Sequence, residues 1–262
     1  MLGSCKCLTR RAKPWFLNLG CGKHFHQNWI NIDFSPFDDT VVCHDLRRPL
    51  PFPENSCAVV YHSHVLEHFT RAEGRRFIAE CFRVLQPQGI LRVAVPDLEG
   101  IARLYLQSLE GAKAGNSAST ARHEWMTLEL FDQMVREESG GEMGKYWQQN
   151  PMPEQEFIIA RMGQEVAENI KPSERKCSKR RRFDSFRRSY RSNRLRRSGE
   201  VHKWMYDAVS LARLLEETGF ENCESRQATE SDIPLFAESM LDVTADGKIR
   251  KPDSLFMEAR KL

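Results

Sequence analysis

Gly20, Cys21, Gly22 and Asp33 are the residues whose types and spacing first suggest chemistry. They lie in the stretch FLNLGCGKHFHQNWINID, residues 16–33. One apolar run ends in a glycine turn, and a second ends in a carboxylate. Glycines let a backbone approach a ligand closely, and a carboxylate at the end of the next strand accepts hydrogen bonds from a ribose diol. A dinucleotide fingerprint would need a third glycine, a full helix and an acid about 20 residues on. Here the third glycine position is Phe25, and Asp33 follows Gly20 by only 13 residues. That leaves no room for a normal helix to hold a pyrophosphate, and no phosphate-loop lysine motif is present. The pattern therefore calls for an adenosine without a phosphate chain, which is S-adenosylmethionine.

Methyl transfer from a sulfonium needs an aligned acceptor and, for a hydroxyl, a group to take its proton. Candidates are side chains at the carboxyl ends of the later strands: His64 and Asp97, then His202, with Trp204 and Tyr206 able to stack on an acceptor. Of these, His202 and Asp97 are taken as the catalytic residues. The run His62-Ser63-His64-Val65-Leu66-Glu67-His68 also raises a zinc hydrolase. Two histidines at i, i+2 on a strand share a face, and His68 would close a site. The spacing departs from H-x-H-x-D-H by one residue and Glu67 replaces the acid, so no metal is expected. Glu67 and His68 are expected to begin the next helix.

The elements that must position these groups alternate along the chain. Short β-branched or aromatic runs mark strands at 15–19, 30–33, 41–45, 57–62 and 90–95. A helix is expected over about 71–85, with Phe77, Ile78, Cys81, Phe82 and Leu85 at helical spacing and Gln86-Pro87-Gln88-Gly89 as its stop. A second follows Asp97, with Ile101, Leu104, Tyr105 and Leu109 as its buried stripe. Residues from about 110 to 200 break the rhythm and read as an insertion, with a helical piece near 154–169. A helix over 208–218 then precedes two terminal strands, near 220–227 and 254–261, expected to pair. Such alternation favours an α/β fold with a parallel sheet.

The composition is that of a globular chain of 262 residues, 40% hydrophobic, with no apolar run long enough to span a membrane. Its net charge of +3 is uneven. Residues 171–198 hold 13 Lys and Arg against Glu174 and Asp184, or +11, which leaves the rest at −8. This basic arm is expected to be a solvated loop, with RNA, a phosphate-bearing acceptor or an anionic surface as alternative partners. Eight cysteines without an export signal read as reduced thiols in a cytoplasm, and Cys5 and Cys7 as a frayed end.

The ordered motifs LNLGCG (17–22), NIDFSP (31–36), HDLRRPLPFPENS (44–56), VLEH (65–68), RVLQPQGILRVAVPD (83–97) and GEVHKWMYDAVSLARLLEETGF (199–220) resemble the class I S-adenosylmethionine-dependent methyltransferases of the type 11 kind. Within them they most resemble a bacterial subgroup associated with glycan biosynthesis. The resemblance covers roughly residues 14–105 and 199–262. It implies a Rossmann-like α/β sheet, mostly parallel with the last strand antiparallel, divided into a tail (1–13), a cofactor-binding part (14–109), an insertion (110–198) and a closing part (199–262). By the same resemblance Gly20, Cys21 and Gly22 lie under the methionine and ribose, and Asp33 binds the ribose. Phe34, Asp45 and Leu46 meet the adenine, and the backbone at His62 and Ser63 meets the methionine amino group. Ala58 departs from the acid often found at the start of the fourth strand. The activity implied is methylation of a small-molecule or saccharide acceptor, at oxygen. The alternatives are an RNA methyltransferase using the basic arm, a zinc hydrolase, and a non-catalytic nucleotide-binding scaffold.

Overall fold

A computed structural model describes residues 14–163, 166 and 199–262. The β-rich runs form seven strands: β1 (Trp15–Leu19), β2 (Ile30–Asp33), β3 (Val42–Cys43), β4 (Cys57–Ser63), β5 (Leu85–Pro96), β6 (Glu221–Arg226) and β7 (Ser254–Arg260). They make one sheet in the order β3-β2-β1-β4-β5-β7-β6. The β1–β2, β1–β4, β2–β3 and β4–β5 pairs are parallel, and β7 runs antiparallel to both β5 and β6. This is the expected mostly parallel sheet with a reversed last strand, and its two terminal strands pair as predicted. The chain proceeds outward from β1 to β3, then returns to lay β4 against the other side of β1. Such a reversal opens a crevice at the carboxyl ends of β1 and β4, where open α/β sheets take their ligands.

Helix α1 (Arg71–Val84) begins at a capping box in which Thr70 and Glu73 satisfy each other's backbone N–H groups. Its Phe77, Ile78, Cys81 and Val84 are buried on one face of the sheet with Leu17, Leu19, Val60, Leu91 and Val93. Helices α2 (Leu98–Lys113), α3 (Ser117–Val135), α4 (Gly141–Tyr146) and α5 (Gln155–Met162) follow. After the undescribed segment comes α6 (Ala208–Glu216), capped by Asp207 and Ser210, which buries Leu211, Leu214 and Leu215 in the same core as α1. A short α7 (Phe236–Ser239) closes the set. The opposite face of the sheet is covered by Trp29, Ile233, Phe236 and Leu241, packed on Val59, Tyr61 and Ile90.

Several expectations change in detail. The third strand shrinks from 41–45 to Val42–Cys43, and β5 starts at Leu85, running through the expected Gln86–Gly89 stop. Edge pairing rescues that stretch: Gln88 N donates to Lys261 O, and Lys261 N donates to Gly89 O. Lys261 Nζ donates to the carbonyls of Phe82 and Leu85, so the last turn of α1 is capped from the far end of the chain. Helix α3 was not foreseen. Its opening Ser-Ala-Ser-Thr reads as linker, and its buried face includes Glu129 and Asp132, which interrupt an apolar stripe. Within α2, Ile101 is buried while Leu104, Tyr105 and Leu109 are half-buried. The helical piece expected at 154–169 is seen as α5, and residues 164, 165 and 167–169 of that piece lie outside the described residues, as do Cys5, Cys7 and the basic arm 171–198.

The chain divides into two compact units. Among the described residues, one comprises 14–97, 204–249 and 254–262, and the other 98–163, 166, 199–203 and 250–253. Helix α2 thus goes with the inserted segment. In that second unit the Asp132 carboxylate accepts from the backbone N–H of Glu142 at the start of α4, at 2.7 Å. Its Arg161 donates to both oxygens of Glu129, at 2.9 and 2.7 Å. Burial lifts the Glu129 carboxyl to about 7 against the pull of that arginine.

Candidate cofactor and active site

The loop between β1 and β2 contains no helix, as its length demanded, and two buried asparagines shape it instead. Asn18 Nδ2 donates to His24 O (3.0 Å) and to Asn31 Oδ1 (3.1 Å). Asn31 Nδ2 in turn donates to the carbonyls of His26 (2.9 Å) and Trp29 (3.1 Å). The Trp29 ring packs on the sheet, edge-on to Phe16, Tyr61 and Phe236. Gly20 and Gly22 sit at φ +68° and +52°, a region that side chains with a Cβ rarely adopt. Gly20 N and Cys21 N both donate to Ile32 O.

Asp33 closes this cradle. Its Oδ2 accepts from Gly22 N at 2.9 Å and its Oδ1 from Ser35 N at 2.8 Å. Each carboxylate oxygen keeps a further lone pair, so the position fits a ribose diol. A Cβ placed on Gly22 would meet nothing within 4 Å, so the backbone here faces open space. The residues present therefore fit S-adenosylmethionine: Gly20, Cys21 and Gly22 would offer backbone, and Asp33 a carboxylate. The Cys21 thiol is buried and its pKa is pushed up to about 12, first by desolvation and then by the Asp33 charge. It contributes shape rather than nucleophilicity.

Farther along this edge, Phe34 and Phe37 are exposed at 59% and 65%, an unusual state for phenylalanine and suited to stacking. Lys23 Nζ lies 5.2 Å from the Phe37 ring centre. Asp45, expected to receive the adenine amine, is held by Arg47 in a two-pronged pair with both bonds at 2.8 Å. That hydrogen bonding keeps its carboxyl below the usual range against a smaller desolvation effect. Any adenine contact must share the carboxylate with Arg47. Leu46 is packed against the core.

The second wall comes from the end of β4. Val65 Cγ2 would lie under 3.0 Å from any Cβ at Gly20, so the glycine turn and the segment after β4 touch. The expectation that His62 and His64 share a face is overturned, because His64 leaves the strand at φ +54°. The His62 ring is fully buried against Phe77 of α1, 5.0 Å between ring centres, and burial lowers its pKa to about 4. Ser63 is half-buried. His64 Nε2 lies 2.8 Å from Ser254 Oγ, and its Nδ1 lies 3.3 Å from Glu67 Oε1. Glu67 and His68 belong to a short 3-10 helix, Leu66–His68, that ends before Thr70 begins α1.

Of the expected catalytic residues, Asp97 sits half-buried at the end of β5 and bridges to Tyr206. His202 is buried in the helical unit, its N–H donating to Gln133 O at 2.9 Å. Tyr206 is buried, its hydroxyl pushed up to about 12, mainly by desolvation and then by the Glu67 charge. Trp204 is 37% exposed, with the Arg71 guanidinium 4.9 Å from its ring centre.

Sequence reasoning passed over Asn18, Asn31, Ser254 and a buried network around Arg92. Arg92 is fully buried and pairs with Asp242 and Glu258, both at 2.7 Å. It also donates to the carbonyls of Glu230, Gln227 and Ala228. A charged residue within the apolar run Ile90–Val95 was the available signal, since a buried charge requires partners.

Comparison with known proteins fits this geometry. Residues 17–93 match the family model described as a methyltransferase domain. A probable S-adenosylmethionine-dependent methyltransferase of Mycolicibacterium smegmatis is 31% identical over 98 residues, covering 31% of this chain and 37% of that protein. The chain thus spans little more than a third of this curated relative. Among solved structures, a possible histamine N-methyltransferase from Thermotoga maritima is 11% identical with a TM-score of 0.42, covering 98% of this chain and 86% of that one. A methyltransferase from Archaeoglobus fulgidus is 12% identical with a TM-score of 0.42, covering 98% and 90%. The stretch 17–93 is thus similar to a methyltransferase domain, and the curated relative it matches is described as S-adenosylmethionine-dependent.

Proposed function

We propose that this chain transfers the methyl group of S-adenosylmethionine to a hydroxyl oxygen of a saccharide or other small acceptor. The observation that carries the cofactor reading is the coincidence of Gly20, Gly22 and Asp33 at the crevice between β1 and β4, inside the family match. The donor supplies an electrophilic methyl group. The chain's own residues hold it: backbone at the glycine turn, the Asp33 carboxylate on the ribose, and the Phe34 ring against the adenine. The saccharide acceptor is supported by the resemblance of the motifs to glycan-associated members and by the half-exposed indole of Trp204, since such faces stack on sugar rings. Asp97, just past the end of β5, is proposed to lie on the acceptor side.

Titration calorimetry with S-adenosylmethionine tests the cofactor reading. Wild type should bind, and Asp33→Ala should weaken binding at least tenfold, about 1.5–3 kcal/mol for a charged hydrogen bond. Absence of wild-type binding would sink it. Transfer of labelled methyl into fractionated extracts then identifies the acceptor class. A second reading, RNA as acceptor, is favoured by the 13 basic residues of the arm. RNA binding that weakens steeply with salt and disappears on deletion of residues 171–198 would support it over the saccharide.

A further inference from the structure

We infer that His64 is the group that takes the acceptor's proton, with Glu67 as a positioning residue behind it and Ser254 as the hydroxyl through which it acts. The inference rests on the methyltransferase reading above. His64 is the first residue after β4, at the carboxyl edge that faces the crevice. Its neighbour Val65 touches the glycine turn, so the ring is carried on the same short segment that forms the cradle's second wall. The backbone at φ +54° departs from the strand, which is a costly conformation for a residue with a Cβ. The departure is fixed by His64 N donating to Ala94 O at 2.9 Å. Strain of this kind persists where surrounding structure holds a functional side chain in place.

What the strain achieves is to place an imidazole between a hydroxyl and a carboxylate. Ser254 Oγ stands 2.8 Å from Nε2, and Glu67 Oε1 stands 3.3 Å from Nδ1. The carboxylate beside Nδ1 favours the proton on that nitrogen, which leaves the Nε2 lone pair for Ser254, the tautomer a proton acceptor needs. Glu67 is fully buried, so its charge acts on the ring with little screening. His62, His68 and Tyr206 also face Glu67, and the Asp242 carboxylate lies within electrostatic reach of His64. Imidazolium formed here would be stabilised on the side away from the reaction.

The step balances simply. As the acceptor oxygen gains its bond to the methyl carbon, the carbon–sulfur bond breaks and its electron pair stays on sulfur. The oxygen's proton passes to Ser254 Oγ while the serine's own proton moves to Nε2. The proton leaves later to solvent, and nothing is oxidised or reduced.

The test does not need the acceptor. A group that receives the acceptor's proton must stand near the transferred methyl and sense the donor's sulfonium charge, which S-adenosylhomocysteine lacks. Full-length protein with 15N-labelled histidine is followed by long-range 1H–15N correlation at one pH, saturated with either ligand, and His64 is assigned from a His64→Gln sample. The His64 ring 15N shifts should differ between the S-adenosylmethionine and S-adenosylhomocysteine complexes, because the donor's charge polarises a nearby ring. In Glu67→Gln the 15N shifts should report loss of the Nδ1–H preference. Identical His64 shifts in the two complexes, with both ligands shown to bind, would overturn the role of His64 alone. Failure of both ligands to bind wild type would instead overturn the cofactor reading beneath it.

Discussion

Gly20→Ala is the most incisive perturbation of the cradle. Two separable costs follow from the structure. The first is conformational: at φ +68° an alanine suffers the left-handed penalty, about 1–2 kcal/mol. The second is steric: the new methyl would lie under 3.0 Å from Val65 Cγ2, and displacing a packed side chain costs about 1–3 kcal/mol. Together they amount to about 2–5 kcal/mol, a large share of the 5–15 kcal/mol typical of a domain. Val65→Ala removes the clashing methyl but loses buried apolar contact, about 1–3 kcal/mol by itself. In the double variant the steric part vanishes and only the conformational part of the glycine replacement remains. Urea unfolding of wild type, both single variants and the double variant should therefore give a favourable coupling of about 1–3 kcal/mol. Calorimetry on the same four proteins should show cofactor affinity recovering in part with the double change. If the two effects simply add, to within about 0.5 kcal/mol, contact with Val65 is not what demands glycine at position 20, and the proposed coupling of the two walls is wrong.

The buried His62 predicts an acid limb in stability. Its pKa falls from an ordinary 6.5 to about 4 on folding, so the unfolded chain takes up a proton first as pH drops between those values. Wild type should lose about 3 kcal/mol through this group over that window, and His62→Phe should flatten the loss in unfolding measured from pH 7 to pH 4. Arg92→Met leaves Asp242 and Glu258 buried without their cation, and should cost about 3–5 kcal/mol in urea unfolding; a cost under 1 kcal/mol would show the network to be dispensable. Asn31→Leu removes the donor to the carbonyls of His26 and Trp29, at about 1–3 kcal/mol for each group left buried and unpaired. It should also weaken cofactor binding by loosening the turn; a variant of unchanged stability and affinity would mean that the asparagines do not shape the loop.

The parts of this protein legible in its sequence are those written in local pattern. The alternation of short strands with helices gave the sheet, the spacing from Gly20 to Asp33 excluded a full first helix, and the terminal strands were recognisable as partners. Long-range effects were not legible. The start of β5 at Leu85 depends on Lys261, 176 residues away, whose ammonium caps the end of α1. Helix α3 was obscured because its buried face carries Glu129 and Asp132, which look like surface residues until Arg161 and the start of α4 supply their partners. The Asp45–Arg47 pair was not legible either, because an arginine two residues away could as well have pointed elsewhere.

The sequence by itself pointed to the kind of ligand proposed, because glycine turns and strand-end carboxylates act through backbone geometry that a few neighbouring residues dictate. It could not determine which histidine matters. Strand periodicity put His62 and His64 on one face, whereas a single left-handed residue sends one ring into the core and the other onto Ser254, 190 residues away. Only the tertiary structure brings that hydroxyl, imidazole and carboxylate into line, since β7 must return antiparallel beside β5 before Ser254 can reach the end of β4.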